Sequence, residues 1–180
     1  MLKTFSAALT IIILFFTFSQ MNWASDIPNE LEGVPAFKHP NINLYIAAQP
    51  KPDEFTAFNK AGVKHVVNLR APNEMPDFNE AAIVTKSGMA YYNIPIVGAS
   101  DLTKENVNLL NSVLTKLEKE KVLIHCSSGN RVAALMALRA AWIQGASMED
   151  ALKLGKRYGL TKLSPDVKKI LSFDANILKK

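Results

Sequence analysis

Cysteine is nearly absent from this chain: Cys126 is the only one among 180 residues. A single thiol cannot close an internal disulfide. Histidine is also scarce, and His39, His65 and His125 lie far apart, so the usual ligand clusters of a metal site are missing. No metal and no cofactor are therefore expected. No internal repeat or low-complexity segment is found, and with 48% apolar and 21% charged residues the composition is that of a globular protein. The net charge of +5 is only mildly basic. Its lysines are scattered, without aromatic interleaving, which argues against nucleic-acid binding and leaves small anionic substrates as the favoured partners.

The one long apolar run lies near the start. "MLKTFSAALTIIILFFTFSQMNWASD" has a lysine, an apolar stretch from Phe5 to Phe18, then polar and small residues. This is the layout of a secretory signal peptide, with Ala24 as the expected last residue removed. The run falls short of the roughly 20 residues a bilayer span needs. Export to the bacterial periplasm is therefore expected, with no stable membrane span after cleavage; an uncleaved membrane anchor is the alternative. Residues 1–24 are read as the signal, 25–41 as a linker rich in Pro and Asn, and 42–180 as one domain.

Within that domain, strand and helix patterns alternate. "LYIAA", "VKHVVNL", "MAYYNIPI" and "VLI" read as strands. Between them lie helical stretches: "DEFTAFNK" after Pro52 and ended by Gly62, "FNEAAIVTK" ended by Gly88, and "DLTKENVNLLNSVLTKLEKEK" with Thr103 as N-cap. Arg131–Gln144 is almost wholly apolar and predicts a central helix, in which Met136 and Trp142 are core residues. Two further helices open at Ser147 and Ser164. The alternation predicts an α/β fold with a central, mostly parallel sheet flanked by helices, whose ligand crevice lies beyond the carboxyl ends of the strands.

Cys126 falls at such an end, in "VLIHCSSGNRVAAL". A free thiol in an exported protein needs a reason. Here a buried strand ends at His125, the loop Cys126–Ser127–Ser128–Gly129–Asn130 follows, and a helix starts near Arg131. Loop amides at a helix N-terminus form an anion site, and the same field favours a thiolate on Cys126 with a lowered pKa. Gly129 gives the turn its freedom or lets the backbone approach the anion, Arg131 offers a planar fork to an oxyanion, and His125 either orients the thiolate or is satisfied by backbone. Arg70 and Glu74, near the end of the second strand, read as a surface ion pair that could also line the crevice.

"HCSSGNR" resembles the phosphate-binding loop of the protein tyrosine and dual-specificity phosphatases, whose pattern is His-Cys, five residues, Arg. "AAQPKPDEFTAFNKAGVKHVVNLRAPNE", "YYNIPI" and "HCSSG" are similar in order and spacing to bacterial dual-specificity-phosphatase-like proteins related to the phosphatase-like domain of beta-lactamase-hydrolase-like proteins. The resemblance covers about residues 42–172. It implies a cysteine-phosphatase-like domain of the phosphotyrosine phosphatase II type, acting on a phosphorylated small molecule or protein. In that scheme Cys126 attacks phosphorus, Arg131 with the amides of Ser127–Arg131 stabilises the transition state, and Ser127, Ser128, Gly129, Asn130 and His125 are the substrate-binding residues. Asp101, after the strand ending "IPI", supplies the general acid. Two departures stand out. Only four residues separate Cys126 from Arg131, and Val132 replaces the hydroxyl residue that helps the thiolate leave. A loop of this shorter size also resembles that of the rhodaneses, which carry a persulfide on cysteine. A noncatalytic oxyanion-binding module is the third reading.

Overall fold

The computed structural model describes residues 29–76 and 78–177. The expected signal peptide lies outside the described residues. Among those described, no helix is long and apolar enough to cross a membrane.

The sheet has five strands: β1 (Lys38–Asn41), β2 (Leu44–Ala47), β3 (His65–Asn68), β4 (Ala90–Asn93) and β5 (Val122–His125). Their order is β1-β2-β5-β3-β4. β1 pairs with β2 antiparallel, and every other pairing is parallel. β5 is thus central, which its wholly apolar "VLI" requires: a strand buried on both faces has no solvent side to offer polar residues.

Six α-helices complete the domain: α1 (Glu54–Lys60), α2 (Glu80–Lys86), α3 (Lys104–Lys116), α4 (Asn130–Trp142), α5 (Met148–Tyr158) and α6 (Ser164–Ile177). Thr103 and Ser147 cap α3 and α5 through their hydroxyls, as their sequence positions predict. The strands divide the core by simple alternation. Leu44, Ile46, Val122 and Ile124 face the layer of α3 to α6, while Tyr45 and Leu123 face α1 and α2 with Phe55, Phe58 and Val84. α4 is buried on nearly all sides, from Val132 through Leu138, and forms the spine of the first layer.

The expected linker is corrected from residue 29 onward. Asn29–Leu31 forms a 3-10 turn and Lys38–Asn41 is β1. Leu31 and Val34 are buried against the α1 and α2 side of the core. Proline and asparagine made this stretch look unstructured; two apolar side chains and an edge strand, where Pro40 is tolerated, tie it down.

Candidate active site

β5 delivers Cys126 to the carboxyl edge of the sheet, and α4 begins four residues later. Gly129, the N-cap of α4, takes φ +80°, a left-handed conformation that glycine adopts without the Cβ penalty. This lets the chain turn so that the Gly129 amide donates to Cys126 Sγ at 3.1 Å. The thiol is completely buried at the floor of the loop, while Ser127 and Ser128 form its exposed rim. The α4 N-terminus thus directs its positive end at the thiol.

Arg131, in the first turn of α4, is also buried. Its Nη1 donates to Glu74 Oε1 and its Nη2 to Glu74 Oε2, both at 2.7 Å. Nη1 also donates to the Ile96 carbonyl, and Nη2 to Ser127 Oγ at 3.0 Å. This fork-to-fork pair fixes the plane of the guanidinium beside the thiol. The hydrogen bonds from Arg131 hold the Glu74 carboxyl at about 2, against its ordinary 4.5 and against the opposing effect of burial. In return the Glu74 hydrogen bonds raise Arg131 above its usual value, against the opposing effect of burial. Glu74 is anchored in turn: Oε1 accepts from the Ala71 amide at 2.9 Å, and Arg70 reaches its carboxylate at 3.5 Å. The Arg70–Glu74 ion pair is therefore present, but Glu74 also serves as the anchor of Arg131. The i,i+4 spacing signals only the first of these roles.

His125 does not line the loop. Alternation along β5 turns its ring to the α1 and α2 face, opposite Ile124, where it is fully buried. Its Nε2 lies 2.8 Å from Glu80 Oε1, and its ring meets Phe55 edge-on. The expectation of His125 as a substrate-binding residue is corrected accordingly; the alternative of an orienting role keeps its basis. Asn130 is corrected in part. Its Oδ1 is taken by the Thr161 amide at 2.8 Å and the Thr161 hydroxyl at 3.2 Å, so its side chain ties α4 to the loop before α6.

Asp101 ends a 3-10 turn, Ala99–Asp101, that follows β4. Its Oδ2 accepts from the Val97 amide at 2.6 Å. Val97 adjoins Ile96, whose carbonyl receives Arg131, so the turn carrying Asp101 borders the crevice. A depression of about 580 Å³ lies beside this turn, lined among others by Ala99, Ser100, Lys104, Trp142 and Phe173, and it includes neither Cys126 nor Arg131. Trp142, expected in the core, packs half-buried against it and also forms part of that wall, with Lys104 Nζ 5.6 Å from its ring centroid. Met136 is buried as expected. Among the described residues no group of three or more His, Cys, Asp or Glu side chains could hold a metal ion. The arrangement is therefore an amide cradle with a buried thiol at its base and one locked guanidinium at its side, suited to an oxyanion.

No protein-family model matches the chain. Over 124 residues, 66% of its length, it is 33% identical to the beta-lactamase hydrolase-like proteins of two Xylella fastidiosa strains. The matched part is 28% of those relatives, so the chain spans well under half of their length. Among solved structures, a DUF442 candidate phosphatase of Shewanella putrefaciens superposes with a TM-score of 0.63 at 23% identity, covering 81% of this chain and 96% of that one. TpbA of P. aeruginosa, in a cysteine-to-serine form bound to phosphotyrosine, superposes with a TM-score of 0.56 at 17% identity, covering 74% and 81%. With its five-stranded, mostly parallel sheet between helical layers and its Cys126 loop between β5 and α4, the chain shares the fold of the cysteine-based phosphatases, with the beta-lactamase hydrolase-like proteins as sequence relatives.

Proposed function

We propose that this protein is a cysteine-dependent phosphatase that cleaves phosphate monoesters through a cysteinyl-phosphate on Cys126, and that it is exported to the periplasm. The observation that carries the reaction is the Cys126 thiol under the Gly129 amide at the start of α4, with Arg131 locked beside it by Glu74. The Cys126 thiolate attacks phosphorus, forming an S–P bond as the P–O bond to the leaving group breaks. Loop amides and Arg131 meet the charge on the equatorial oxygens, at the place where preorganised donors contribute most. Asp101 gives its proton to the leaving oxygen. Water then attacks phosphorus, Asp101 takes a proton from it, and the S–P bond breaks to release phosphate and restore the thiolate. Export rests on the apolar run from Phe5 to Phe18.

A specific observation favours sulfur transfer as a second reading. Four residues, not five, span Cys126 to Arg131, and the buried, apolar Val132 leaves no hydroxyl to help the thiolate depart. In that reaction the thiolate attacks the outer sulfur of thiosulfate, the S–S bond breaks, sulfite leaves, and Cys126 holds a persulfide.

Purified protein is expected to hydrolyse an aryl phosphate. Cys126→Ser should abolish turnover, and Asp101→Asn should lower it by about 10²–10⁴-fold, the usual share of a general acid. Mass spectrometry of Cys126 after incubation with each donor decides between the readings. A phosphoryl adduct supports the phosphatase, while a persulfide, with thiosulfate-dependent thiocyanate formation from cyanide, replaces it by the sulfurtransferase.

A further inference from the structure

Behind the loop, buried and half-buried polar side chains form one hydrogen-bonded chain. His125 Nε2 meets Glu80 Oε1 at 2.8 Å. Glu80 Oε2 accepts from Gln49 Nε2 at 2.6 Å, and Gln49 Oε1 accepts from Arg70 Nη1 at 2.7 Å. Arg70 contacts Glu74, and Glu74 holds Arg131. The chain thus runs from the residue before the nucleophile, beneath the sheet edge, to the arginine that closes the loop.

Glu80 is the part that packing alone does not explain. A carboxylate on the inner face of a two-turn helix is 2% exposed, in a place an apolar residue would fill at no desolvation cost. Both of its oxygens face donors, from His125 and from Gln49, so it accepts twice. With Nε2–H committed to Glu80, the His125 tautomer and ring plane are fixed, and Nδ1 has no partner among the described residues.

We infer that Glu80 and Gln49 are positioning residues of this site, a buried relay in which Glu80 fixes His125 behind Cys126 while Gln49 couples that end of the loop to the Arg70–Glu74–Arg131 end. The relay has a direction: donors point to Glu80 from both sides, and Gln49 passes the sense of the bonds on to Arg70. The titratable groups facing the pair are Tyr91 from β4, whose phenol is raised chiefly by burial and in part by the charge of Glu80, Arg70 through Gln49, and the Arg131–Glu74 pair across the sheet edge.

This rests on Cys126 being the nucleophile, though not on which group it carries. The test is accordingly alkylation of Cys126 by iodoacetamide as a function of pH. Glu80→Gln offers one acceptor to two donors, so one arm of the relay breaks and His125 loses its fixed plane; the alkylation–pH profile should change, with the rate near neutral pH falling about tenfold. Adding Gln49→Glu restores the bonds to His125, position 80 and Arg70 in the right sense and gives up only the long Gln49 Nε2 bond to the Pro50 carbonyl at 3.2 Å. The new amide at position 80 accepts from His125 and donates to the new carboxylate at position 49, which also accepts from Arg70. The double variant should return to within about threefold of wild type. An unchanged profile in Glu80→Gln, or a double variant no better than the single one, overturns the relay. Should the single variant not fold, the native protein still decides. The His125 Nε2–H proton resonance should shift when Cys126 is alkylated, and a silent resonance overturns the proposal. A normal relay result in a protein inert to aryl phosphate leaves this inference standing and removes only the phosphatase reading.

Discussion

Glu74 concentrates the residue-scale physics of the site. Its two oxygens match the two Nη groups of Arg131, so replacing it by glutamine leaves one acceptor where two are needed. The arginine then loses its fixed plane, and a misplacement of about 1 Å at a reacting centre costs roughly a hundredfold. Glu74→Gln is expected to lower kcat/KM for an aryl phosphate by about that factor while leaving the fold intact by circular dichroism. The same group gives a pH signature. Its folded pKa is depressed to about 2 from 4.5, so the stability it contributes is fully present above about 4.5 and is lost as pH falls towards 2. Urea midpoints of wild type and Glu74→Gln should therefore differ at neutral pH and converge as pH approaches 2; a constant difference would contradict the pairing. The places of Cys126, Gly129 and Arg131 in one loop were legible in the sequence because they follow from neighbours along the chain. Glu74 was legible only as a partner of Arg70, because nothing local states that it also reaches a helix 57 residues away.

At the scale of elements, the short β5 and the long apolar α4 set where the chemistry happens. Alternation along β5 sends Ile124 to one layer and His125 to the other, so the histidine beside Cys126 meets Glu80 on the far face of the sheet. Period-two reading of "VLIHC" contained that information, and its weight becomes clear once both faces are known to be buried. The seating of α4 depends on α5. A Cβ on Gly155 would lie 2.8 Å from Leu160 Cδ2 and 3.0 Å from Ala137 Cβ, so the two helices pack closer than alanine permits. Gly155→Ala is expected to destabilise the protein by about 1–3 kcal/mol, because overpacking outweighs the gain in helix propensity. Thermal unfolding followed at 222 nm measures it, and a raised midpoint would show that the interface relaxes freely.

The described residues form a sheet with one set of helices on each face, and the stretch from residue 29 to 41 takes part in closing the α1 and α2 side. Leu31 and Val34 fill that layer beside Phe55 and Phe58, and β1 covers the edge of β2. Burial of such side chains contributes about 1.5–3 kcal/mol each. A chain begun at residue 42 should therefore unfold at a clearly lower urea concentration than one begun at residue 29; equal midpoints would restore the reading of this stretch as a linker. The helices of the domain were legible because caps and periodicity are local. β1 was not, since a four-residue edge strand containing proline has no pattern of its own and exists through its pairing with β2.

The sequence by itself determined the α/β alternation, the central position of the strand ending at His125 and the glycine-turned loop from Cys126 to Arg131, because apolar periodicity, caps and a glycine turn act over a few residues. Only the tertiary structure decided what holds that loop: Glu74 on Arg131, Glu80 on His125, and Thr161 on Asn130. These partners lie from 31 to 57 residues apart along the chain. Buried polar groups must find hydrogen-bond partners, and which ones they find is settled when the helices and turns dock on the sheet, not by the order in which residues follow one another.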